Sequence, residues 1–223
     1  MPAGEELVAV GAELTAGMLL AGYRAGLFPM PDAGLLGWWS PDPRGILLPA
    51  SVHVSRSLRR SLGRFEVSRD ARFAEVVAAC ADPSRPHGWI NDAYRSAYLD
   101  LHALGWAHSI EVWDAAGRLV GGLFGVEVGG FFAAESKFHR VTDASKVAVV
   151  ALADLLATDG RPGRMIDVQW RTEHLARLGV VAVPRLTYLE LAARARVLAP
   201  VLAGARPAQV EGGGPSRIRW RIG

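Results

Sequence analysis

The sequence predicts an α+β (mixed α/β) fold, on three observations. Three strand-like segments, 107–113, 118–128 and 130–134, follow one another with turns at Gly117 and Gly129-Gly130, which is the pattern of a meander. Helical periodicities flank them, among them Tyr94, Tyr98, Leu101 and Leu104, spaced to share one face. Hydrophobic residues make up 50% of the 223 positions, enough for one well-buried core with a small accessory lobe.

Taken in order, the chain starts with a small N-terminal lobe over 1–50. Thr15 is placed to cap a helix that runs to Arg24 and ends at Gly26. The prolines and glycines of residues 29–45 argue against regular structure there, and Trp38-Trp39 reads as part of a rigid loop. The main domain is expected over 51–203. Ser51 can cap a helix over 52–62, Phe65–Ser68 is a short strand, and Asp70 caps a helix over 71–80. Asn91 caps the helix that precedes the meander, and Asp143 caps another over 144–157. A strand over 163–169, a short helix around His174 and a long helix opened by Pro184 complete the domain. Residues 204–223 read as a basic, mobile tail, with Arg217, Arg219 and Arg221 near its end.

Several function classes drop out on composition. The single cysteine, Cys80, excludes an internal disulfide and a multi-cysteine zinc site. The six histidines include no pair at metal-ligand helical spacing, and no serine sits in a Gly-x-Ser-x-Gly turn. No metal, zinc hydrolase or serine hydrolase is expected. Met1 to Glu6 lacks a basic n-region, and no apolar run approaches the roughly 20 residues that span a bilayer, so a cytoplasmic protein with no membrane partner is expected. The net charge of +3 matters less than its distribution. Arg56, Arg59, Arg60 and Arg64 lie close together, and the first three share a helical face. They read either as solvated surface charge or as contacts to a phosphate backbone.

Four polar features stand at the ends of predicted elements. Glu135-Ser136-Lys137-Phe138 follows an apolar strand, Asp143-Ala144-Ser145-Lys146 opens a helix, and Asp167 and Gln169 alternate on one strand. Period-two geometry puts Asp167 and Gln169 on one face, with Ile166 and Val168 on the other. A carboxylate inside a strand needs a partner, so Asp167 is either a structural ion pair or a working group. Gln169 is either a hydrogen-bonded core amide or part of a site. Glu135 is a capping or solvated carboxylate or a binding group, and if the strand continues Lys137 alternates with it and can pair with it.

The meander followed by a helix resembles the GNAT acyltransferase layout. Enzymes of that layout that use acetyl-CoA need a glycine-rich pyrophosphate turn at the helix N-terminus. Here Arg140-Val141-Thr142-Asp143-Ala144-Ser145 stands in its place, and Asp143 brings both a repelling charge and a Cβ.

A more specific likeness runs through most of the chain. Tyr23-Arg24-Ala25-Gly26-Leu27-Phe28-Pro29, Trp38-Trp39-Ser40-Pro41-Asp42-Pro43-Arg44 and His53-Val54-Ser55-Arg56-Ser57 come first. Ala107-His108-Ser109-Ile110-Glu111-Val112-Trp113 and Val120-Gly121-Gly122-Leu123-Phe124-Gly125-Val126 follow. Glu135-Ser136, Ala144-Ser145-Lys146, Ile166-Asp167 with Gln169, and His174-Leu175 with Leu178-Gly179 complete the series. Each string is short, but the ordered set over roughly residues 8–193 resembles the leucyl/phenylalanyl-tRNA–protein transferase family.

The resemblance implies a GNAT-like domain with a small N-terminal lobe and no cofactor. It implies transfer of Leu or Phe, and with them Met, from aminoacyl-tRNA to acceptor proteins with N-terminal Arg or Lys, marking them for N-degron proteolysis. It places Asp167 and Gln169 at the reacting centre, with Gln169 engaging the attacking amine and Glu135 holding a substrate's positive charge. Leu123, Val149, Leu152, Leu156 and Ile166 would line the donor side-chain pocket. Trp39 and Trp89 would meet the terminal adenosine, and Arg56, Arg59, Arg60 and Arg64 the tRNA backbone. The acceptor α-amine, with an ordinary pKa of about 7.7–8.0, is easily deprotonated, so positioning can supply much of the rate. Three departures stand out: Lys137 replaces a methionine near the pocket, Met30 a tryptophan, and Val168 a cysteine expected on the opposite face. A monomer is expected. An acetyl-CoA-dependent N-acetyltransferase and a non-catalytic tRNA-binding module are the alternatives.

Overall fold

The computed structural model describes residues 6–85, 88–203 and the backbone of 218–219. In chain order the elements are β1 (Leu7–Val10), α1 (Ala16–Arg24), β2 (Phe28–Asp32), β3 (Leu35–Trp39), β4 (Arg44–Leu47), α2 (Arg56–Leu62), β5 (Glu66–Arg69), α3 (Phe73–Cys80) and α4 (Asp92–Ala103). Then come β6 (Ala107–Trp113), β7 (Leu119–Val128), β8 (Phe131–His139), α5 (Ala144–Leu156), β9 (Met165–Gln169), α6 (Glu173–Ala176), β10 (Val181–Val183), α7 (Arg185–Arg196) and β11 (Ile218–Arg219). The mixed α+β class holds. A three-stranded sheet has the order β1-β3-β2, and an eight-stranded sheet the order β10-β4-β9-β8-β7-β6-β5-β11.

Every pairing in the large sheet is antiparallel except β8 with β9, which α5 connects in parallel. One face packs against α1, α3, α4 and α7, and the other against α2, α5 and α6. Period-two alternation sorts the side chains: Phe124 and Phe131 join the first layer, Leu123 and Phe132 the second. With helices on both faces, β6 and β7 are buried along their whole length, which is why β7 reads as a nearly continuous apolar run, while β6 buries His108, Ser109 and Glu111 among hydrogen-bond partners.

Several caps follow the sequence. Thr15 accepts from the Met18 N–H, and Asn91 from those of Ala93 and Tyr94. Gly117 and Gly129 adopt the left-handed conformation that their turns need. Others differ. Ser51 closes a one-turn 3-10 helix, and the capping residue of α2 is Ser55, which accepts from the Leu58 N–H at 3.2 Å. Asp70 does not cap α3. Its φ is +55° and its carboxylate takes the Ser109 N–H and His108 Nδ1, both at 2.8 Å. The buried Glu111 accepts from the Ala71 and Arg72 N–H groups instead. Asp143 is likewise left-handed, at φ +70°, so its carboxylate turns from the helix to Ser61 Oγ at 2.8 Å and Lys146 Nζ at 2.7 Å. Leu104 lies past the end of α4 and is 63% exposed.

The proline-rich stretch over 29–45 is regular after all. Pro29 and Pro31 lie on β2, an edge strand of the small sheet, where a missing N–H costs nothing. β4 follows and pairs inside the large sheet. The expected tail over 204–223 lies outside the described residues except Ile218–Arg219, which add a short strand at β5.

Candidate active site

Two neighbouring strands are both irregular at the same level, and this shapes the site. β8 and β9 pair at Phe131–Met165, Phe132–Ile166 and Ala133–Asp167, and the pairing stops there. In β8, Ala134 faces Gly125 while Ser136 faces Phe124, so Glu135 is the extra residue of a bulge. In β9, Gly45 faces Gln169 while Ile46 faces Asp167, so Val168 is extra, and Gln169 has φ +61°. Gly45 is required opposite it, because a Cβ there would stand 2.7 Å from the Trp170 carbonyl carbon. Bulges of this kind re-aim side chains at the ends of strand pairing.

The bulges change which side chains meet. Past Glu135 the alternation flips, sending Phe138 to the α3 layer and Lys137 to the α5 side. Glu135 and Lys137 therefore do not pair. Past Val168 the chain turns so that Gln169 lines a cavity together with Ile166 and Val168. Asp167 turns the other way, toward Arg44 and Tyr188. The expected common face of Asp167 and Gln169 is thus broken, and Val168 faces the cavity rather than away from it.

Asp167 is fully buried and held on all sides. Arg44 Nε and Nη2 donate to its two oxygens at 2.9 and 2.7 Å, Tyr188 Oη at 3.0 Å, and the Gln169 backbone N–H at 3.0 Å. The Arg44 guanidinium lies between the Phe28 and Tyr188 rings, 4.8 and 4.4 Å from their centroids. Burial alone would lower its pKa, but the charge and hydrogen bonds of Asp167 outweigh that and hold it above the ordinary value. Asp167 therefore acts on Gln169 through the main chain, fixing the left-handed turn that aims the amide.

The cavity, about 70 Å³, is lined by Leu123, Ala134, Glu135, Ser136, Lys137, Val149, Leu152, Ile166, Val168, Gln169 and Leu175. Two of its polar atoms are enclosed without a protein partner: the acceptor Glu135 Oε1 and the donor Gln169 Nε2. Glu135 Oε2 accepts from Tyr98 Oη at 2.7 Å, and Tyr98 meets Tyr23 Oη at 3.0 Å. Burial pushes the Glu135 carboxyl up to about 7, against the lowering effect of the tyrosine hydrogen bonds. Burial lowers the Lys137 ammonium from its ordinary value. Burial also pushes the Cys80 thiol up to about 11, which removes a thiolate nucleophile from consideration.

Of the residues singled out in the sequence, Glu135, Gln169, Leu123, Lys137, Val149, Leu152 and Ile166 line this cavity. Leu156 does not; it lines a separate pocket with Leu48, Pro49 and Met165. Trp89 stands outside the cavity, edge-on to Tyr94 and Tyr98. Trp39 is half-buried in the small sheet, its indole N–H donating to the Met30 carbonyl at 3.0 Å. Arg56, Arg59, Arg60 and Arg64 are exposed on and just after α2. Sequence reasoning missed Arg44, Tyr188, Tyr98 and Tyr23 as site residues. Arg44 closes the Trp-Trp-Ser-Pro-Asp-Pro-Arg string, and that was its only signal. Among the described residues no cluster of His, Cys, Asp and Glu suits a metal, and no helix is long and apolar enough to cross a membrane.

Known proteins place this geometry. Residues 12–42 match the model of the leucyl/phenylalanyl-tRNA protein transferase N-terminal domain, and residues 46–193 that of leucyl/phenylalanyl-tRNA protein transferase itself. The leucyl/phenylalanyl-tRNA–protein transferase of Aromatoleum aromaticum is 51% identical over 188 residues, covering 82% of this chain and 78% of its own. That of Oleidesulfovibrio alaskensis is 46% identical over 210 residues, covering 90% and 84%. That of Anaeromyxobacter dehalogenans is 45% identical over 215 residues, covering 94% and 90%. With both family models matched in order and the bulged strands, the cavity and Asp167 all lying within the second, the chain belongs to the leucyl/phenylalanyl-tRNA–protein transferase family.

Proposed function

We infer that this protein transfers Leu or Phe from aminoacyl-tRNA to the N-terminal Arg or Lys of acceptor proteins, in the cytoplasm, as a monomer and without a cofactor. Alongside family membership, the observation that carries the site assignment is the pair of unsatisfied polar atoms, Glu135 Oε1 and Gln169 Nε2, on one small apolar cavity. The donor side chain enters between Leu123, Val149, Leu152 and Ile166. This sets its ester carbonyl against Gln169, whose N–H faces the oxygen that becomes the oxyanion. The Gln169 carbonyl oxygen accepts from the attacking α-amine and orients it. The amine nitrogen bonds to the ester carbon, the tRNA 3′ oxygen leaves with the electron pair, and the amine's proton balances the departing hydroxyl. Glu135, ionised in part near neutral pH, holds a substrate ammonium. The splay of β8 from β9 supports a GNAT-like reading of the domain, with the donor lying where the strands separate. Trp89, in contact with Tyr98, is the better placed of the two tryptophans to stack a base, and Arg56, Arg59, Arg60 and Arg64 meet tRNA phosphates. The modified acceptors enter N-degron proteolysis.

The test is a transfer assay. Charged Leu- or Phe-tRNA and a peptide starting with Arg or Lys are the substrates, with acetyl-CoA and a peptide starting with Ala as controls. Labelled Leu or Phe should appear on the first peptide alone. Acetyl transfer without aminoacyl transfer, or tRNA binding without product, would overturn the reading.

A further inference from the structure

A second concavity, about 580 Å³, opens beside the cavity and is lined by His53, Ser55, Ser57, Leu58, Lys146, His174, Ala176, Arg177 and Leu178. The two share their walls. In α5, Lys146 faces the groove and Val149, one turn on, the cavity; in α6, His174 faces the groove and Leu175 the cavity. The groove is rigidly built. The His53 N–H donates to the Leu178 carbonyl at 3.0 Å, and Gly179, at φ +98°, lets the 51–53 segment approach so closely that a Cβ would stand 2.3 Å from the Ser51 carbonyl oxygen.

Its charge is one-sided. Asp143 is the carboxylate that meets a groove lysine, at 2.7 Å from Lys146 Nζ, against the lining bases Lys146, His174, Arg177 and His53. Partial burial lowers the His174 pKa first, and Lys146, Lys137, His139 and Arg177 lower it further. That lowering favours the neutral imidazole at His174, so the positive charge at the wall comes from Lys146 and Arg177, and two such cations beside a polar groove make a site for an anion. The groove is also lined by Ser55, the cap of α2, and by Ser57 and Leu58 within that helix, on which Arg56, Arg59 and Arg60 stand exposed.

We propose that this groove binds the phosphodiester backbone of the donor's 3′-terminal nucleotides, with Arg177, Lys146 and His174 as the contacts next to the cavity. The assignment rests on the aminoacyl-tRNA reading above. An amino acid seated in the cavity is esterified to a ribose, and the 5′ oxygen of that same ribose carries the first phosphate. The groove supplies positive charge at the cavity's wall, and α2 continues it outward. Contacts of this kind position the strand without reading bases.

Arg177→Glu and Lys146→Gln are measured with two donors, Leu-tRNA and 3′-leucyl-adenosine, which lacks phosphates. Binding of uncharged tRNA is followed separately from 50 to 200 mM salt. Arg177 is exposed, so its variant keeps the fold. Each variant should raise KM for Leu-tRNA by about three- to tenfold and flatten the log–log salt slope of tRNA binding by roughly 1 for each phosphate left without its cation. Transfer from 3′-leucyl-adenosine should not change. An unchanged KM and slope, or equal loss with both donors, would overturn the proposal. If the wild type transfers from neither donor while Arg177→Glu still weakens tRNA binding, the groove stands and the transferase reading fails.

Discussion

Replacing Asp167 by Asn removes one charge and leaves the shape of the side chain intact. The consequence falls on Arg44, which has no exposed surface and no other anion within ion-pair distance among the described residues. Its remaining partners are the Tyr188 hydroxyl at 3.3 Å, the Gly26 carbonyl at 3.4 Å and two aromatic faces. Breaking a buried pair from one side costs about 3–5 kcal/mol, because a charge is left in a low dielectric without its counterion. At roughly 2–4 °C per kcal/mol for a chain of this size, thermal melting should fall by about 6–20 °C. Urea unfolding at constant m should give the same loss. A double variant, Arg44→Met with Asp167→Leu, buries no charge and should recover most of the stability. It should still transfer poorly, since the Gln169 N–H has lost its acceptor. A loss below about 1 kcal/mol for Asp167→Asn, or full activity in the stable double variant, would refute the reasoning.

Glu135 gives a pH signature. Its carboxyl titrates at about 7 when folded against about 4.5 ordinarily, so the folded state holds a proton that the unfolded chain has lost between these values. Wild-type stability therefore declines as pH rises from about 4.5 to about 7. Glu135→Gln should escape that decline, gaining on the order of 3 kcal/mol on the wild type between pH 4.5 and 8; parallel curves in urea unfolding would contradict it. Gln169→Gly should relieve the left-handed strain and raise stability by about 1 kcal/mol while cutting single-turnover transfer at least tenfold; undiminished transfer would remove Gln169 from the chemistry. Lys137→Met should raise the kcat/KM ratio of Phe to Leu donors several-fold. The present cavity of about 70 Å³ is well below the roughly 150 Å³ that admits benzene, and the lysine forms part of its wall. An unchanged ratio would show that the side chain binds elsewhere.

Local signals read true where local chemistry decides. Thr15 and Asn91 cap their helices because each side chain reaches its own first turn, and Pro184 opens α7 because it needs no N–H there. Asp70 and Asp143 carry the same signal and behave otherwise, drawn away by His108 and Ser61 from other parts of the chain and by Lys146 in the first turn of α5. Strands β2 to β4 were hidden because their stability comes from pairing, which Pro29, Pro31 and Gly45 do not advertise. At the site, the ordered motifs pointed to Glu135, Gln169 and most of the cavity wall. They could not show that the period-two rule fails twice within it. Nor could they bring Arg44 to Asp167 across 123 positions, since an ion pair at that separation leaves no trace in spacing.

The paired bulges also act as a reading frame. Upstream of Glu135, odd-numbered residues of β8 face the α3 layer; downstream, even-numbered ones do. Substituting Glu135 changes a functional group and leaves that frame alone. Deleting it would close the bulge: Ala134 and Ser136 would become neighbours opposite Gly125 and Phe124, Phe138 and Lys137 would keep their layers, and a deletion at Val168 would likewise set Asp167 and Gln169 side by side in a regular ladder. Melting curves of the deletion beside Glu135→Ala would separate the two effects. Around this cavity each strand carries one residue more than its partner needs, so a one-residue deletion that leaves the core layers in place would still remove the irregularity that opens the site.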